Sequence, residues 1–268
     1  MTETARTETT PVTALPPESA QPGFAYRFEW GPHGLRALAR AADVLVIVDV
    51  LSFTTCVDIA VARGATVLPY RFDDDGERAF ALEQGALLAG MRSDAAPLSL
   101  SPASLQSLGA GSRVVLPSPN GSALAFAAAA AGARVVLAGC LRNASAVAAA
   151  ARALAGPSGV VVVLGAGERW RGATGPLRPA VEDLLGAGAV LAALDPASSI
   201  SAPGCSPEAS AARAAFVAAR PRLHDTLSQC QSGRELIDRG YPDDVALAAQ
   251  LDVSRTVPVL RGNAFVST

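Results

Sequence analysis

The chain has 268 residues, half of them hydrophobic, which is enough to build the core of one large domain or of two small ones. All 22 basic residues are arginine, because the sequence contains no lysine, and this excludes a Walker-type phosphate loop and any Schiff-base mechanism. Two histidines cannot form a three-histidine zinc site. A formal charge of −2 gives no general affinity for nucleic acid or for an anionic membrane.

The four cysteines lie far apart without a CxxC pair, so they indicate neither a zinc ribbon nor a disulfide framework. No basic segment followed by an apolar stretch opens the sequence, and no apolar run is long enough to span a membrane. The sequence therefore predicts a cytoplasmic protein without a membrane partner. Its abundant alanine is compatible with a homodimer.

Residues 1–23 are rich in threonine, proline and glutamate and contain few large apolar side chains. Such a segment cannot bury enough surface to offset the entropy lost on ordering. We therefore predict a disordered N-terminal tail over residues 1–23 and a single domain over residues 24–268.

Beyond the tail, short β-branched runs alternate with alanine-rich stretches that favour helices. The clearest predicted strands are Val44–Val50, Thr66–Tyr70, Arg113–Leu116, Arg134–Ala138 and Val160–Leu164, and a closing strand is predicted near the C-terminus. The predicted helices are Thr54–Arg63, Asp74–Gln84, Ser122–Ala131, Asn143–Ala155, Ala180–Leu194, Pro207–Ala219, Pro221–Gln229 and Asp243–Leu251. This alternation predicts an α/β fold with three layers, α/β/α, and a mostly parallel or mixed sheet built from repeated βαβ units.

Two of these units resemble each other. VIVDVLSFTTCVDIAVARGATVLPY and VVLPSPNGSALAFAAAAAGARVVLAG both contain a strand, a polar loop, a helix, a Gly-Ala pair and a second strand. The similarity is compatible with an old duplication, and equally with two βαβ units of ordinary size.

The first candidate site residues follow the strand Val44–Val50. Asp49 lies at its carboxyl end, where ligands bind in open α/β sheets. Thr54 or Thr55 is expected to cap the next helix, whose free N–H groups favour an anion such as phosphate. The alternative is that Asp49 and the threonines only cap this helix.

Equivalent polar loops follow two further strands. Ser118, Asn120, Gly121 and Ser122 form a Ser-Pro-Asn-Gly-Ser segment that could be a simple turn or part of an anion site shared with the Asp49 loop. The Arg142-Asn143 pair adds a third polar turn, with an arginine able to bind an oxyanion through two hydrogen bonds.

Acidic pairs offer oxygen ligands for a cation. Glu182 and Asp183 open a predicted helix, where they could complement the helix dipole or hold Mg²⁺. Asp73–Asp75 and Asp243–Asp244 are interpreted as solvated helix starts.

Two familiar motifs are incomplete. The sequence after Asp49 lacks the second aspartate of a DxDxT phosphatase loop, and no lysine is available to complete that machinery. The segment Gly165–Trp170 begins like a GxGxxG loop but has Trp170 at the last glycine position, so a nucleotide-dependent oxidoreductase is disfavoured.

Taken together and in order, several blocks of the sequence resemble the 2-phosphosulfolactate phosphatase family (ComB type) over residues 44–260. The blocks are VIVDVLSFTTCVDIAVARGA, LLAGMRSDAAPLSLSPASL, VVLPSPNGSALA, LAGCLRNASAVA, VVVLGAGERW, VEDLLGAGAVL and GYPDDVALAAQLD followed by VPVL. The resemblance implies a Mg²⁺-dependent phosphomonoesterase that acts on a small phosphorylated acid.

Individual residues match the family's motifs. Those that coincide with its Asp-Val-Leu, Thr-Thr, Asn-Gly, Asn-Ala-Ser and Glu-Asp blocks are Asp49, Thr54, Thr55, Asn120, Gly121, Ser122, Asn143, Glu182 and Asp183. The chain departs from the family pattern at Ser52, where similar sequences carry arginine, and at Met91, where they carry glutamate. Leu100 also stands in place of the asparagine of the usual Asn-Ser-Pro.

The resulting hypothesis is a phosphatase in which Asp49, together with Glu182 or Asp183, holds Mg²⁺ and takes the catalytic role. The predicted substrate-binding residues are Ser52, Thr54, Thr55, Ser118, Asn120, Gly121, Ser122, Arg142 and Asn143. The alternative is a protein that binds a small phosphorylated or sulfonated metabolite with altered specificity or without catalysis, and the departures at Ser52 and Met91 favour this alternative.

Overall fold

A computed structural model describes residues 15–71, 76–90, 92, 97–170, 175–194 and 204–268. Its strands are β1 Tyr26–Trp30, β2 Val44–Val48, β3 Thr66–Arg71, β4 Leu87–Leu88, β5 Arg113–Ser118, β6 Val136–Gly139, β7 Val161–Gly165, β8 Glu168–Arg169, β9 Leu177–Arg178, β10 Pro258–Arg261 and β11 Ala264–Ser267. Its helices are α1 Gly31–Leu38, α2 Phe53–Ala62, α3 Glu77–Glu83, α4 Pro102–Leu105, α5 Gly121–Ala130, α6 Ala144–Ala155, α7 Val181–Leu194, α8 Pro207–Ala219, α9 Leu223–Gln229, α10 Gln231–Asp238 and α11 Pro242–Ala248.

The main sheet has nine strands in the order β1-β7-β2-β6-β10-β11-β3-β5-β4. Strands β1, β7, β2 and β6 pair in parallel, as do β3, β5 and β4. The hairpin β10–β11 pairs antiparallel with both blocks, so the two blocks run in opposite directions. The predicted α/β class with a mixed sheet is confirmed.

The sheet is covered on both faces. All five residues of β2 are buried, with Val44, Val46 and Val48 in one apolar cluster and Leu45 and Ile47 in another. Successive side chains of a strand point to opposite faces, so each cluster fills one side of the sheet. This arrangement agrees with the predicted three layers.

The hairpin divides each of the two similar βαβ units, because β2 and β6 lie on one side of it and β3 and β5 on the other. It occupies the region for which the sequence predicted one closing strand, and Gly262 makes the two-residue turn possible with a φ of 59°. Strand β2 of the first unit neighbours β6 of the second, while β3 neighbours β5 on the far side of the hairpin. In the six central strands, β2-β6-β10-β11-β3-β5, each end therefore begins with the first strand of one unit, followed by the second strand of the other unit.

Part of the predicted tail packs on the domain. Residues 1–14 lie outside the described residues, but Pro17–Ala20 forms a 3₁₀ helix and Gln21 is buried. The Gln21 Nε2 atom donates to the carbonyl of Phe28 at 2.8 Å, and the Arg27 guanidinium donates to the carbonyl of Ala20. The structured chain thus begins before residue 24.

Within the described part of the chain, no helix is long and apolar enough to cross a membrane. The cytoplasmic location and the homodimer stay predictions.

Candidate functional site

Asp49 lies in the turn between β2 and α2, where backbone amides hold its carboxylate. Oδ1 accepts the amide of Phe53 at 3.2 Å, and Oδ2 accepts the amide of Gly121 at 2.8 Å. The side chain is 5% exposed. The first partner starts α2 and the second starts α5, so Asp49 joins the N-termini of two helices.

The strand directions alone would not bring these loops together, because β2 and β5 belong to blocks that run in opposite directions. They are five steps apart in the sheet order, and each step rotates neighbouring strands by roughly 20–25°. The contact between the two loops is nevertheless made, through the hydrogen bond from the Gly121 amide to Oδ2 of Asp49. The predicted proximity of the two loops is therefore observed, although the strands do not share one parallel edge.

Gly121 is required at this contact. A Cβ atom there would lie 2.3 Å from Cδ1 of Phe53 and 2.7 Å from Oδ2 of Asp49. The Gly121 amide also lies 3.2 Å from Oγ of Ser118, which accepts the amide of Asn120 as well. The Asn-Gly sequence thus lets the backbone approach the carboxylate.

A second buried carboxylate supports the same turn. Asp183, at the start of α7, accepts the amide of Val50 at 2.7 Å and the amide of Gly167 at 2.8 Å. Burial raises the pKa of Asp183 well above its usual value, and the nearby charges of Asp49 and Glu182 raise it further. Both of its oxygens are engaged by the backbone, which gives Asp183 a supporting position behind Asp49.

The pKa of the Asp49 carboxyl is also raised. Burial is the main cause that raises its pKa to about 7, and the negative charges of Glu168 and Glu182 act in the same direction. The two amide hydrogen bonds oppose the shift. Asp49 therefore lies in a region with excess negative charge, which a cation would relieve.

A polar cavity of about 120 Å³ opens beside Asp49. Its lining includes Asp49, Leu51, Ser52, Arg92, Leu100, Ser118, Pro119, Asn120, Glu168, Ser232, Glu235, Leu236 and Arg239. Asn120 donates through Nδ2 to Oε1 of Glu168 at 3.0 Å. Its Oδ1 atom is buried without a hydrogen-bond partner among the described residues, so the site contains an unsatisfied oxygen acceptor.

Arg92 enters the site from a distant part of the chain. Its Nη2 donates to Oγ of Ser52 at 2.6 Å, and its Nε contacts Oδ2 of Asp244 at 3.0 Å. Asp244 is almost completely buried and also accepts hydrogen bonds from Ser101 Oγ and the Ala103 amide. The interpretation of Asp244 as a solvated helix start is therefore wrong, because its carboxylate anchors this arginine.

Four of the predicted site residues line the cavity: Asp49, Ser52, Ser118 and Asn120. The threonines lie behind it. The Thr54 hydroxyl bonds the carbonyl and amide of Asp49, and the Thr55 hydroxyl donates to the carbonyl of Val50. The prediction that one of them caps α2 is wrong, since Ser52 occupies the N-cap position and both threonines lie inside the first turn.

Other predicted residues bind the protein itself. Ser122 Oγ donates to the carbonyl of Leu116, and Asn143 bonds the backbone of Cys140, Ala138 and Thr256. Arg142 pairs with Asp58 at 3.0 Å and also contacts the Leu247 carbonyl and Gln250. These side chains are not in the cavity lining, because each fills the hydrogen-bonding needs of a buried turn.

The proposed metal ligands are only partly together. Among the described residues, no three His, Cys, Asp or Glu side chains are grouped closely enough to hold a metal ion between them. Glu182 is buried and hydrogen-bonds with the Cys230 thiol, whose pKa is raised to about 12, chiefly by burial. Neither Glu182 nor Asp183 lines the cavity. Glu168, which was not predicted as a metal ligand, does line it.

Of the substitutions that separate the chain from the family pattern, Met91 lies outside the described residues. Arg92, Glu168, Arg239 and Asp244 were missed as site residues. Arg92, Glu168 and Asp244 lie inside the family blocks quoted above, in which no site role was predicted for them. The only signal at Arg239 was its charge, which many surface residues share.

The model of the 2-phosphosulpholactate phosphatase family matches residues 32–263, most of the chain. A comparison with curated proteins gives no match.

Proposed function

Because the chain belongs to the 2-phosphosulpholactate phosphatase family and is a phosphoric monoester hydrolase, we propose that it releases phosphate from a small phosphorylated acid with the help of Mg²⁺. The observation that carries this proposal is the cavity in which the Asp49 carboxylate, the unsatisfied Asn120 oxygen and the Arg92 guanidinium meet. It combines ligands for a cation with a donor for an oxyanion.

The residues present fit a magnesium ion. Mg²⁺ prefers oxygen ligands and binds through one or two carboxylates while keeping waters and substrate phosphate in its shell. Asp49, Glu168 and Oδ1 of Asn120 line one cavity and supply two carboxylates and one amide oxygen. We therefore assign the ion to these residues rather than to Glu182 or Asp183. Bound there, it would polarise the phosphoryl group and offset the negative charge of the site.

The phosphoryl oxygens have donors on the other side of the cavity. Ser52, Ser118 and Arg92 all line it, and Arg92 is already oriented by its contact with Asp244. A guanidinium held in this way can donate to a phosphate oxygen without reorganising. Arg92 thus takes the role that the sequence assigned to Arg142.

Asp49 is also suited to hold the ion. Bound Mg²⁺ would keep its carboxylate ionised, although burial and the neighbouring carboxylates raise its pKa to about 7. Its orientation is fixed by the amides of Phe53 and Gly121, so the same carboxylate is presented to the cavity in each turnover.

The test is phosphate release from 2-phosphosulfolactate, 2-phospholactate and p-nitrophenyl phosphate, with Mg²⁺ or with EDTA. We expect turnover with Mg²⁺ and its loss with EDTA. Equal rates in both conditions would refute the metal dependence, and no release from any ester would refute the phosphatase reaction.

The ligand assignment is tested by Glu168→Gln, which keeps the size of the side chain and removes its charge. We expect the dissociation constant for Mg²⁺, measured by calorimetry without substrate, to rise at least about tenfold. Glu83→Gln on the exposed surface of α3 is the matched control. An unchanged constant in Glu168→Gln would show that this carboxylate does not contact the ion.

A further inference from the structure

Strands β2 and β7 stop pairing at the edge of the sheet where Asp49 and Glu168 lie. Their parallel register ends with Val48 opposite Gly165, and a last backbone hydrogen bond runs from the Ala166 amide to the Val48 carbonyl at 2.8 Å. Beyond this pair, the chain enters the two loops that carry the proposed magnesium ligands. Mg²⁺ demands nearly ideal octahedral geometry, so it can bind both carboxylates only if the two loops are kept at a fixed separation.

Asp183 joins the two loops from α7. Its Oδ1 accepts the amide of Val50 at 2.7 Å, and its Oδ2 accepts the amide of Gly167 at 2.8 Å. Val50 directly follows Asp49, and Gly167 directly precedes Glu168. One carboxylate therefore holds the backbone beside both proposed ligands, with one oxygen for each loop. The Asp183 side chain is buried, which strengthens both hydrogen bonds.

Two glycines allow the helix and the loops to come this close. A Cβ atom at Gly186, one turn after Asp183 in α7, would lie 2.5 Å from Cγ2 of Val50. Gly167 has a φ of 67°, and a Cβ atom there would lie 2.9 Å from the carbonyl oxygen of Arg178. The backbones are in direct contact, so a displacement of the Asp183 carboxylate is transmitted to both loops.

We infer that Asp183 is a positioning residue that sets the separation of Asp49 and Glu168 and thereby the affinity of the site for Mg²⁺. Asp183 acts through these two residues, since it lies outside the cavity lining. The inference rests on the proposed function, in which the two carboxylates bind the ion. Removal of a group that orients metal ligands in this way lowers metal affinity by about 10- to 100-fold.

Two substitutions distinguish the position of this carboxylate from its charge. Asp183→Glu keeps the charge and both acceptors but displaces them by one methylene group, whereas Asp183→Asn keeps the size and loses the charge and one acceptor. We expect both variants to raise the dissociation constant for Mg²⁺, measured by calorimetry without substrate, by about 10- to 100-fold. The Mg²⁺ concentration that gives half-maximal phosphate release should rise by the same factor.

Asp58→Asn is the matched control for the loss of a buried carboxylate. Asp58 is completely buried, binds Arg142 and Ser254, and lies outside the cavity lining. We expect this variant to be less stable in urea unfolding, with an unchanged dissociation constant for Mg²⁺. A purely structural role of Asp183 would give this same pattern in its own variants.

An unchanged constant in both Asp183 variants, or a raised constant in Asp183→Asn alone, would overturn the inference, because the second result would assign the effect to charge. If Asp183→Glu does not fold, hydrogen exchange of the wild type decides. The Val50 and Gly167 amides should be protected, and Mg²⁺ should increase their protection, whereas fast exchange or protection that Mg²⁺ does not change would overturn the inference.

The same calorimetry distinguishes failure of this inference from failure of the proposed function. A wild type that does not bind Mg²⁺ would refute the proposed magnesium site and the inference with it. A wild type that binds Mg²⁺ as tightly as Asp183→Glu does would refute the inference alone.

Discussion

At the scale of single residues, Gly121 determines whether Asp49 can be held in place. Replacing it with alanine puts a methyl group 2.3 Å from the Phe53 ring and 2.7 Å from the Asp49 carboxylate. The ring lies in the core and cannot move far, so we expect the carboxylate to shift and activity to be lost. Overpacking of this kind reduces the free energy of unfolding by about 1–3 kcal/mol.

Urea unfolding and the initial rate of phosphate release measure both effects of Gly121→Ala. Gly109→Ala is the control, because a Cβ at Gly109 would have its nearest neighbour 3.9 Å away. Normal activity in Gly121→Ala would contradict the requirement for close contact between the α5 backbone and Asp49.

The raised pKa of Asp49 predicts a dependence of stability on pH. Its value of about 7 exceeds the ordinary value of 3.8, so between these values the folded state binds more protons than the unfolded state. The contribution of Asp49 to the free energy of unfolding therefore falls as pH rises from about 4 to about 7. Asp183 acts in the same direction, because its pKa is also raised by burial.

Asp49→Asn removes this titration. We expect the variant to gain stability relative to the wild type as the pH rises from 4.5 to 8 in EDTA, and urea unfolding at several pH values measures the difference. Asp238→Asn, at the exposed end of α10, should show no such trend. A difference that stays constant with pH would show that Asp49 does not titrate in this range.

At this scale, most of the correctly predicted cavity residues lie at the end of a strand, and those missed include Glu168, which also follows a strand, and two arginines that lie far from any predicted site loop. Asp49, Ser118 and Asn120 could be predicted because the end of a strand fixes their position. Arg92 and Arg239 could not, since only the tertiary structure brings them to the cavity. The match of Thr54 and Thr55 to a motif did not reveal that their hydroxyls bond the backbone.

At the scale of elements, the ion pair between Arg142 and Asp58 joins β6 and its following turn to α2. Asp58 is completely buried, and its other oxygen accepts the hydroxyl of Ser254. Arg142→Ala would leave this carboxylate buried without its cation, which costs about 3–5 kcal/mol. We expect lower stability together with an unchanged KM in the folded protein, because Arg142 is not in the cavity lining.

Thermal or urea unfolding and steady-state kinetics distinguish this role from substrate binding. Arg134→Ala is the control, since Arg134 pairs with Asp43 on the surface and its removal should change stability by less than about 1 kcal/mol. A rise in KM without loss of stability in Arg142→Ala would restore the phosphate-binding role predicted from the sequence.

The positions of the strands and helices in the sequence were easier to predict than the order of the strands in the sheet. Strand β2 and helix α8 could be located because hydrophobic patterns and β-branched residues are local signals. The insertion of β10–β11 between β6 and β3 has no local signal, because it depends on pairing across most of the chain. The sequence therefore indicated the class of fold but not its strand order.

At the scale of the whole molecule, the candidate site connects parts of the chain that are distant in sequence. Asp49 follows β2, Gly121 begins α5, Glu168 follows β7, and Asp183 begins α7. Hydrogen bonds join Asp49 to Gly121 and Asp183 to both Val50 and Gly167. The carboxylates hold these elements together, yet their mutual repulsion opposes the same packing.

A cation in this site should therefore stabilise the entire fold. A ligand that binds only the folded state adds RT ln(1 + [L]/Kd) to the free energy of unfolding, about 2.7 kcal/mol at a concentration of 100 Kd. We expect Mg²⁺ to raise the melting temperature above pH 7, where Asp49 is ionised, and to have a smaller effect at pH 5, where its carboxyl binds a proton.

Differential scanning calorimetry of the full chain with Mg²⁺, and with EDTA as the reference, measures both shifts in melting temperature. Asn120→Ala, which removes the neutral oxygen ligand and the hydrogen bond to Glu168 but neither carboxylate, should reduce the shift without abolishing it. The same shift at pH 5 and pH 8, or in Asp49→Asn, would place the ion outside this site.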